Sequence, residues 1–151
     1  MALVFLPLSG AELRDWATGG SLAGQRRGYA VTPAMAEAFG VDDPEDAEYA
    51  ALCIASIAGL LAHGERIVAV AEAAFTATPD DFGEVSVSTP AWAAVDSLFG
   101  EDTDAAPARA TGAAMAGLPL ARAWDEPQVQ ALLADTDLLW YGPAEWALLA
   151  P

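Results

Sequence analysis

Basic side chains are scarce in this chain: lysine is absent, and six arginines face 22 aspartates and glutamates, for a formal net charge of −16. Nucleic-acid phosphates are held by clustered Lys and Arg, and Arg26-Arg27 is the one adjacent pair, so nucleic-acid binding is excluded. An anionic membrane surface would repel the chain for the same reason. A single cysteine, Cys53, forms no internal disulfide and demands no oxidising compartment. With His63 as the only histidine, the chain falls short of the four ligands of a structural zinc, and no metal or cofactor is expected. Cys53 and His63 read as parts of one helix, about 15 Å apart along its axis, so they form no nucleophile–base pair within one subunit.

Long apolar runs are missing too. The longest stretch without a formal charge, Tyr49 to Gly64, is too short to span a bilayer. Met1 to Leu8 is apolar, but too short for a signal peptide and without a positive start, so a cytoplasmic protein is expected. No Gly-rich phosphate loop, internal repeat or low-complexity linker interrupts the sequence.

What is present is a chain of 151 residues, 54% hydrophobic, which suits one packed domain over residues 1–151. Much of that hydrophobicity is alanine, which favours helix but buries little area, so the core rests on fewer Leu, Val, Ile and aromatic residues. Leu3 to Leu8 reads as a short strand, and Ser9 as the N-cap of a helix that places Leu13, Trp16 and Ala17 on one face. Tyr29 to Thr32 suggests a second strand, and Pro33 to Phe39 a helical turn.

The best-specified element follows. Asp43 caps a helix with Pro44 at its first position and acids in its first turn. Tyr49, Leu52, Cys53, Ser56, Ile57, Leu60 and Leu61 then recur at helical spacing, and His63-Gly64 closes it. Arg66 to Ala74, Glu84 to Ser88 and Leu138 to Tyr141 read as strands, while Thr89 to Phe99 fits either a helix started by Thr89-Pro90 or a strand, with strand favoured from Ala93 to Phe99. Arg109 to Ala116, Glu126 to Ala134 and Ala144 to Leu149 read as helices, with loop from Leu118 to Asp125. The mixture predicts an α+β fold: a mostly antiparallel sheet with helices packed on one face, in a ferredoxin-like variant.

Several of these segments carry a resemblance. The N-terminal strand, Ala30-Val31-Thr32-Pro33-Ala34, Glu48-Tyr49-Ala50-Ala51-Leu52, Arg66-Ile67-Val68-Ala69-Val70 and Leu138-Leu139-Trp140-Tyr141 occur in that order. Together they resemble a small actinobacterial family of about this length. The resemblance implies a fold; the family has no assigned activity and transfers no site.

The candidate sites are therefore read from the residues. Cys53 falls among apolar positions, as a buried, inert cysteine does. The clusters Asp42 to Asp46 and Glu101 to Asp104 lack the spacing of an EF-hand and read as a solvated helix start and a loop. Arg26 and Arg27 are a possible anion contact, or partners of the chain's own carboxylates. Trp140, Tyr141, Trp146 and Leu149 form a possible interface, since Trp and Tyr concentrate where proteins meet; within it Trp140 reads as core and Trp146, on the terminal helix, as the exposed anchor.

No catalytic constellation is visible, so the reading leans away from an enzyme. The leading expectation is a small acidic interaction protein that self-associates or docks on a protein partner. One alternative is an enzyme or ligand-binding protein with Asp15, Glu48 or Glu72 as general base and Tyr29, Tyr49 or Tyr141 as donor in an apolar cleft. Another is an acidic mimic of nucleic acid.

Overall fold

A computed structural model describes residues 2–151. The strands are β1 (Ala2–Pro7), β2 (Gln25–Tyr29), β3 (Ile67–Ala73), β4 (Phe75–Ala77), β5 (Glu84–Ser88), β6 (Val95–Gly100) and β7 (Leu139–Tyr141). They form one seven-stranded sheet in the order β4-β5-β2-β1-β3-β6-β7, antiparallel throughout. The helices are α1 (Gly10–Gly19), α2 (Pro33–Phe39), α3 (Pro44–His63), α4 (Ala106–Ala114), α5 (Leu120–Trp124), α6 (Pro127–Asp135) and α7 (Trp146–Leu149). The α+β class is as expected, while a ferredoxin-like connectivity does not follow from these pairings.

The expectation of helices on one face needs correction: they cover both. Alternation along β1 decides this, because Val4, Leu6 and Leu8 point one way and Phe5 the other. On the first face, Leu13 and Trp16 of α1 pack against Val4, Leu6 and the alanines of β3, with Trp146 and Leu149 of the C-terminal segment beside them. On the second, Ala51, Ile54 and Ala55 of α3 pack against Phe5, Val68 and Val70. A central strand buried on both sides reads as the near-continuous apolar run seen in β3. Farther along α3, Ile57 and Leu60 turn to α4, α5 and α6 and build a satellite cluster with Ala108, Met115 and Val129.

Local chemistry sets the element ends. Asp43 accepts from the Glu45 amide at 2.8 Å and starts α3, and Gly64, at φ +74°, stops it. Ser9 and Glu12 close a reciprocal capping box on α1, each accepting from the other's backbone N–H at 3.1 Å. Glu12 does more than cap: Arg26 Nη2 donates to its Oε2 at 2.6 Å, and His63 Nε2 lies 3.4 Å from its Oε1. One carboxylate thereby joins α1, β2 and the end of α3.

Three boundaries differ from the sequence reading. The second strand is Gln25–Tyr29 rather than Tyr29 to Thr32, because Gln25 through Tyr29 pair in register with Ser88 through Glu84. Thr32 instead caps α2, accepting from the Met35 amide at 3.2 Å. The stretch read as loop from Leu118 contains α5, anchored by Trp124, whose ring meets Phe39 and Phe82 edge-on at 5.7 and 6.0 Å. The short strand β4, pairing with β5, has no period long enough to register in sequence.

Two outcomes test this architecture. Gly83 has φ +76°, and a Cβ there would collide with the carbonyl oxygen of Ala30, which its own carbonyl anchors through the Ala30 amide at 2.9 Å. Gly83→Ala should cost about 2 kcal/mol or more, read as a lower denaturant midpoint. For Glu12, burial pushes the carboxyl upward, but hydrogen bonds from Arg26 and the Ser9 amide and the charges of Arg26 and His63 outweigh it, leaving the pKa below 4.5. Its stabilising contribution is therefore complete above that ordinary value and lost as pH falls through the folded-state one. Glu12→Gln should lower the denaturation midpoint at neutral pH, with the gap to the parent protein closing on acidification.

Candidate functional site

Arg66 lies between the α3 C-cap Gly64 and the first residue of β3, Ile67, so a charged side chain stands at the entry to the sheet. Only 1% of its surface is exposed. Its Nε donates to Glu101 Oε1, and one Nη donates both to Glu101 Oε2 and to Thr136 Oγ1, each at 2.9 Å. A bidentate guanidinium–carboxylate pair satisfies both charges in a low-dielectric setting. Thr136 passes the network on by donating to the Leu132 carbonyl at 2.7 Å, and the Tyr141 hydroxyl donates to the Glu101 carbonyl at 3.2 Å.

This network forms the end wall of a groove. Beside the N-terminal half of α3, the second face of the sheet is left open, and three basins lie in a row along it. The outer basin, about 330 Å³, has Leu3, Phe5 and Val31 with Glu48 and Glu72. The middle one, about 350 Å³, shares Leu3, Phe5 and Glu48 with it and adds Tyr49, Phe99 and Trp140. The inner one, about 460 Å³, shares Tyr49, Leu52 and Phe99 with the middle and ends on Cys53, Ser56 and Arg66. Trp140 stands on β7 opposite Phe99 of β6, and so projects to this face.

Two groups of the inner basin, the Cys53 thiol and the Tyr49 phenol, are held in their protonated forms. Burial pushes the Cys53 thiol up, against smaller opposing effects of a Tyr49 hydrogen bond and the Arg66 charge. The charge of a Cys53 thiolate, burial and contact with Asp137 push the Tyr49 phenol up to about 12. Tyr49 is accordingly a hydrogen-bond donor, 3.4 Å from Asp137 Oδ1, and Cys53 a poor nucleophile. Among the described residues, no three His, Cys, Asp or Glu side chains gather to hold a metal ion, and no helix is long and apolar enough to cross a membrane.

The family match spans almost this entire architecture. The chain belongs to DUF6912. This is a family of unknown function, matched over residues 2–150, in keeping with the resemblance to a family without assigned activity. No curated protein and no solved structure matches the chain.

The four aromatic and apolar residues singled out in this DUF6912 chain do not share a surface. The expected roles of the two tryptophans are reversed: Trp140 is 62% exposed and faces the groove, whereas Trp146, like Tyr141 and Leu149, packs half-buried against the α1 face. Strand alternation separates Trp140 from Tyr141, and α7 folds back against α1. Arg26 and Arg27 also point to opposite faces, Arg26 to Glu12 and Arg27 to Glu84 at 2.8 Å, so both are paired with carboxylates. Asp15 lies exposed on α1, away from the groove, and Tyr29 is buried, its phenol pushed up to about 12 chiefly by desolvation. Glu48 does lie along the groove with both others, sharing the outer basin with Glu72 and the middle basin with Tyr49. Cys53 is half-buried at the inner basin rather than enclosed in the core.

Sequence reasoning passed over Arg66 and read Glu101 as part of a solvated loop. A lone arginine abutting the apolar run Ile67 to Ala71 was the available signal, since such a charge needs a partner. Arg66→Met should strand the Glu101 carboxylate and cost about 3–5 kcal/mol in urea denaturation, while adding Glu101→Met should restore most of that loss.

Proposed function

We propose that this chain is a non-enzymatic interaction protein that docks a protein partner in the groove beside α3, with Trp140 as its anchor. The observation that carries this reading is the exposure of Trp140, 62%, facing an equally open Tyr49, 55%, above an apolar floor. Keeping so large an apolar side chain in water forgoes about 1.5–3 kcal/mol of burial, which a docked partner recovers. Tryptophan and tyrosine are the side chains that most often dominate such interfaces. Catalysis has less support: the accessible tyrosines donate to Asp137 and to the Glu101 carbonyl, not to Glu48 or Glu72. Self-association through the groove would bring two acidic surfaces together, which the net charge of −16 opposes.

A second reading rests on the inner basin. Its volume of about 460 Å³ and its mixture of apolar walls with Ser56, Arg66 and Asp137 suit a small molecule.

Cross-linked capture from source lysate with the parent protein, Trp140→Ala and Trp146→Ala separates the candidate surfaces. Trp140→Ala should reduce the recovered partner at least about tenfold without unfolding, the loss expected for an interface anchor. Trp146→Ala should keep the partner but lose about 1–2 kcal/mol of stability, below the cost at a fully buried tryptophan. The reverse pattern would move the interface to the α1 face and refute the groove.

A further inference from the structure

Resting on the groove as a protein-docking site, we propose that its middle basin receives a lysine or arginine side chain of the partner, carried on an extended segment whose neighbouring apolar residues fill the flanking basins. The walls of the basin are aromatic on two sides: Tyr49 projects from α3 and Trp140 from β7, with Phe99 between them on the floor. A cation seated over such rings is attracted by their electron-rich faces. Three carboxylates, Glu45, Glu48 and Asp96, border the same basin, and none of the described residues that line it is basic.

Among the described residues these three carboxylates have no ion-pair partner; the ion pairs engage Glu12, Glu84 and Glu101. Unpaired charge beside an apolar, aromatic cavity is complementary to a side chain with an apolar stem and a cationic head, the build of lysine and arginine. The continuity of the basins argues for a peptide over a free organic cation. The middle basin opens on one side to Leu3 and Val31 and on the other to Leu52 and Leu138, so residues before and after the cation find apolar ground.

The test is an array of randomised six-residue peptides, each pool holding arginine, lysine, citrulline, leucine or glutamate at one fixed central position, probed with labelled protein. Citrulline keeps the shape of arginine and removes its charge. Arginine and lysine pools should retain at least about tenfold more protein than citrulline or leucine pools, a difference of about 1.4 kcal/mol. Glu48→Gln with Asp96→Asn should erase that preference. The charge-matched control Asp15→Asn with Glu37→Gln, on exposed positions away from the groove, should keep it. Equal loss in the control would reduce the effect to bulk charge and overturn the proposal. Citrulline and leucine pools binding as well as arginine would overturn the cation and leave the docking reading standing. No pool exceeding glutamate, with Trp140→Ala indistinguishable from the parent, would remove the docking reading itself. Tetramethylammonium competing at the affinity of the best arginine pool would assign the basin to free organic cations and overturn the peptide.

Discussion

The buried guanidinium of Arg66 is the constraint on which the arrangement of the groove depends. It reaches from the start of β3 to Glu101 at the end of β6 and to Thr136 at the end of α6, three places far apart in sequence. A buried pair of this kind gains little over apolar replacements, because desolvation offsets most of the attraction. What it supplies here is position. Thr136 is held at the point from which the chain departs into β7, and Glu101 is held where the Tyr141 hydroxyl meets its carbonyl. The last strand, and Trp140 on it, are placed by these contacts.

The groove itself arises from unequal cover. Both faces of the sheet are packed, but differently: on one side the small alanines at 69, 71 and 73 share a cluster with Leu13 and the bulky Trp16 of α1, whose indole N–H donates to the Pro90 carbonyl at 3.0 Å. On the other side α3 is backed by α4, α5 and α6 only along its C-terminal half. Its N-terminal half, carrying Glu48, Tyr49 and Leu52, has open sheet beside it. A helix covering half a sheet leaves a strip about as long as an extended peptide of several residues, at roughly 3.3 Å per residue.

Electrostatics sort into two kinds of carboxylate. Some are structural: Glu12, Glu84 and Glu101 each hold an arginine, and Asp43 caps a helix. Others, Glu45, Glu48 and Asp96 among them, border the groove and have no ion-pair partner among the described residues. Four of the chain's six arginines tie elements together or hold the C-terminus, so surplus negative charge is left along the groove. Under the docking reading proposed for the groove, this local charge, rather than the total of −16, would bear on partner choice.

The sequence by itself determined the elements whose signals are local. Asp43-Pro44 and Gly64 bracket α3, Ser9 starts α1, and the apolar run from Ile67 marks β3, because caps, periodicity and β-branched runs act within a few residues. The α+β class followed from their succession. Tertiary structure alone decided which face each helix covers, since the side of a sheet reached by a crossover is not encoded in the period of either element. It likewise turned Leu120–Trp124 into helix through the contacts of Trp124 with Phe39 and Phe82, and separated Trp140 from Trp146. The pairing of Arg66 with Glu101 and the meeting of Tyr49 with Trp140 span 35 and 91 positions of chain; long-range contacts of this kind leave no periodic trace, and packing alone brings them together.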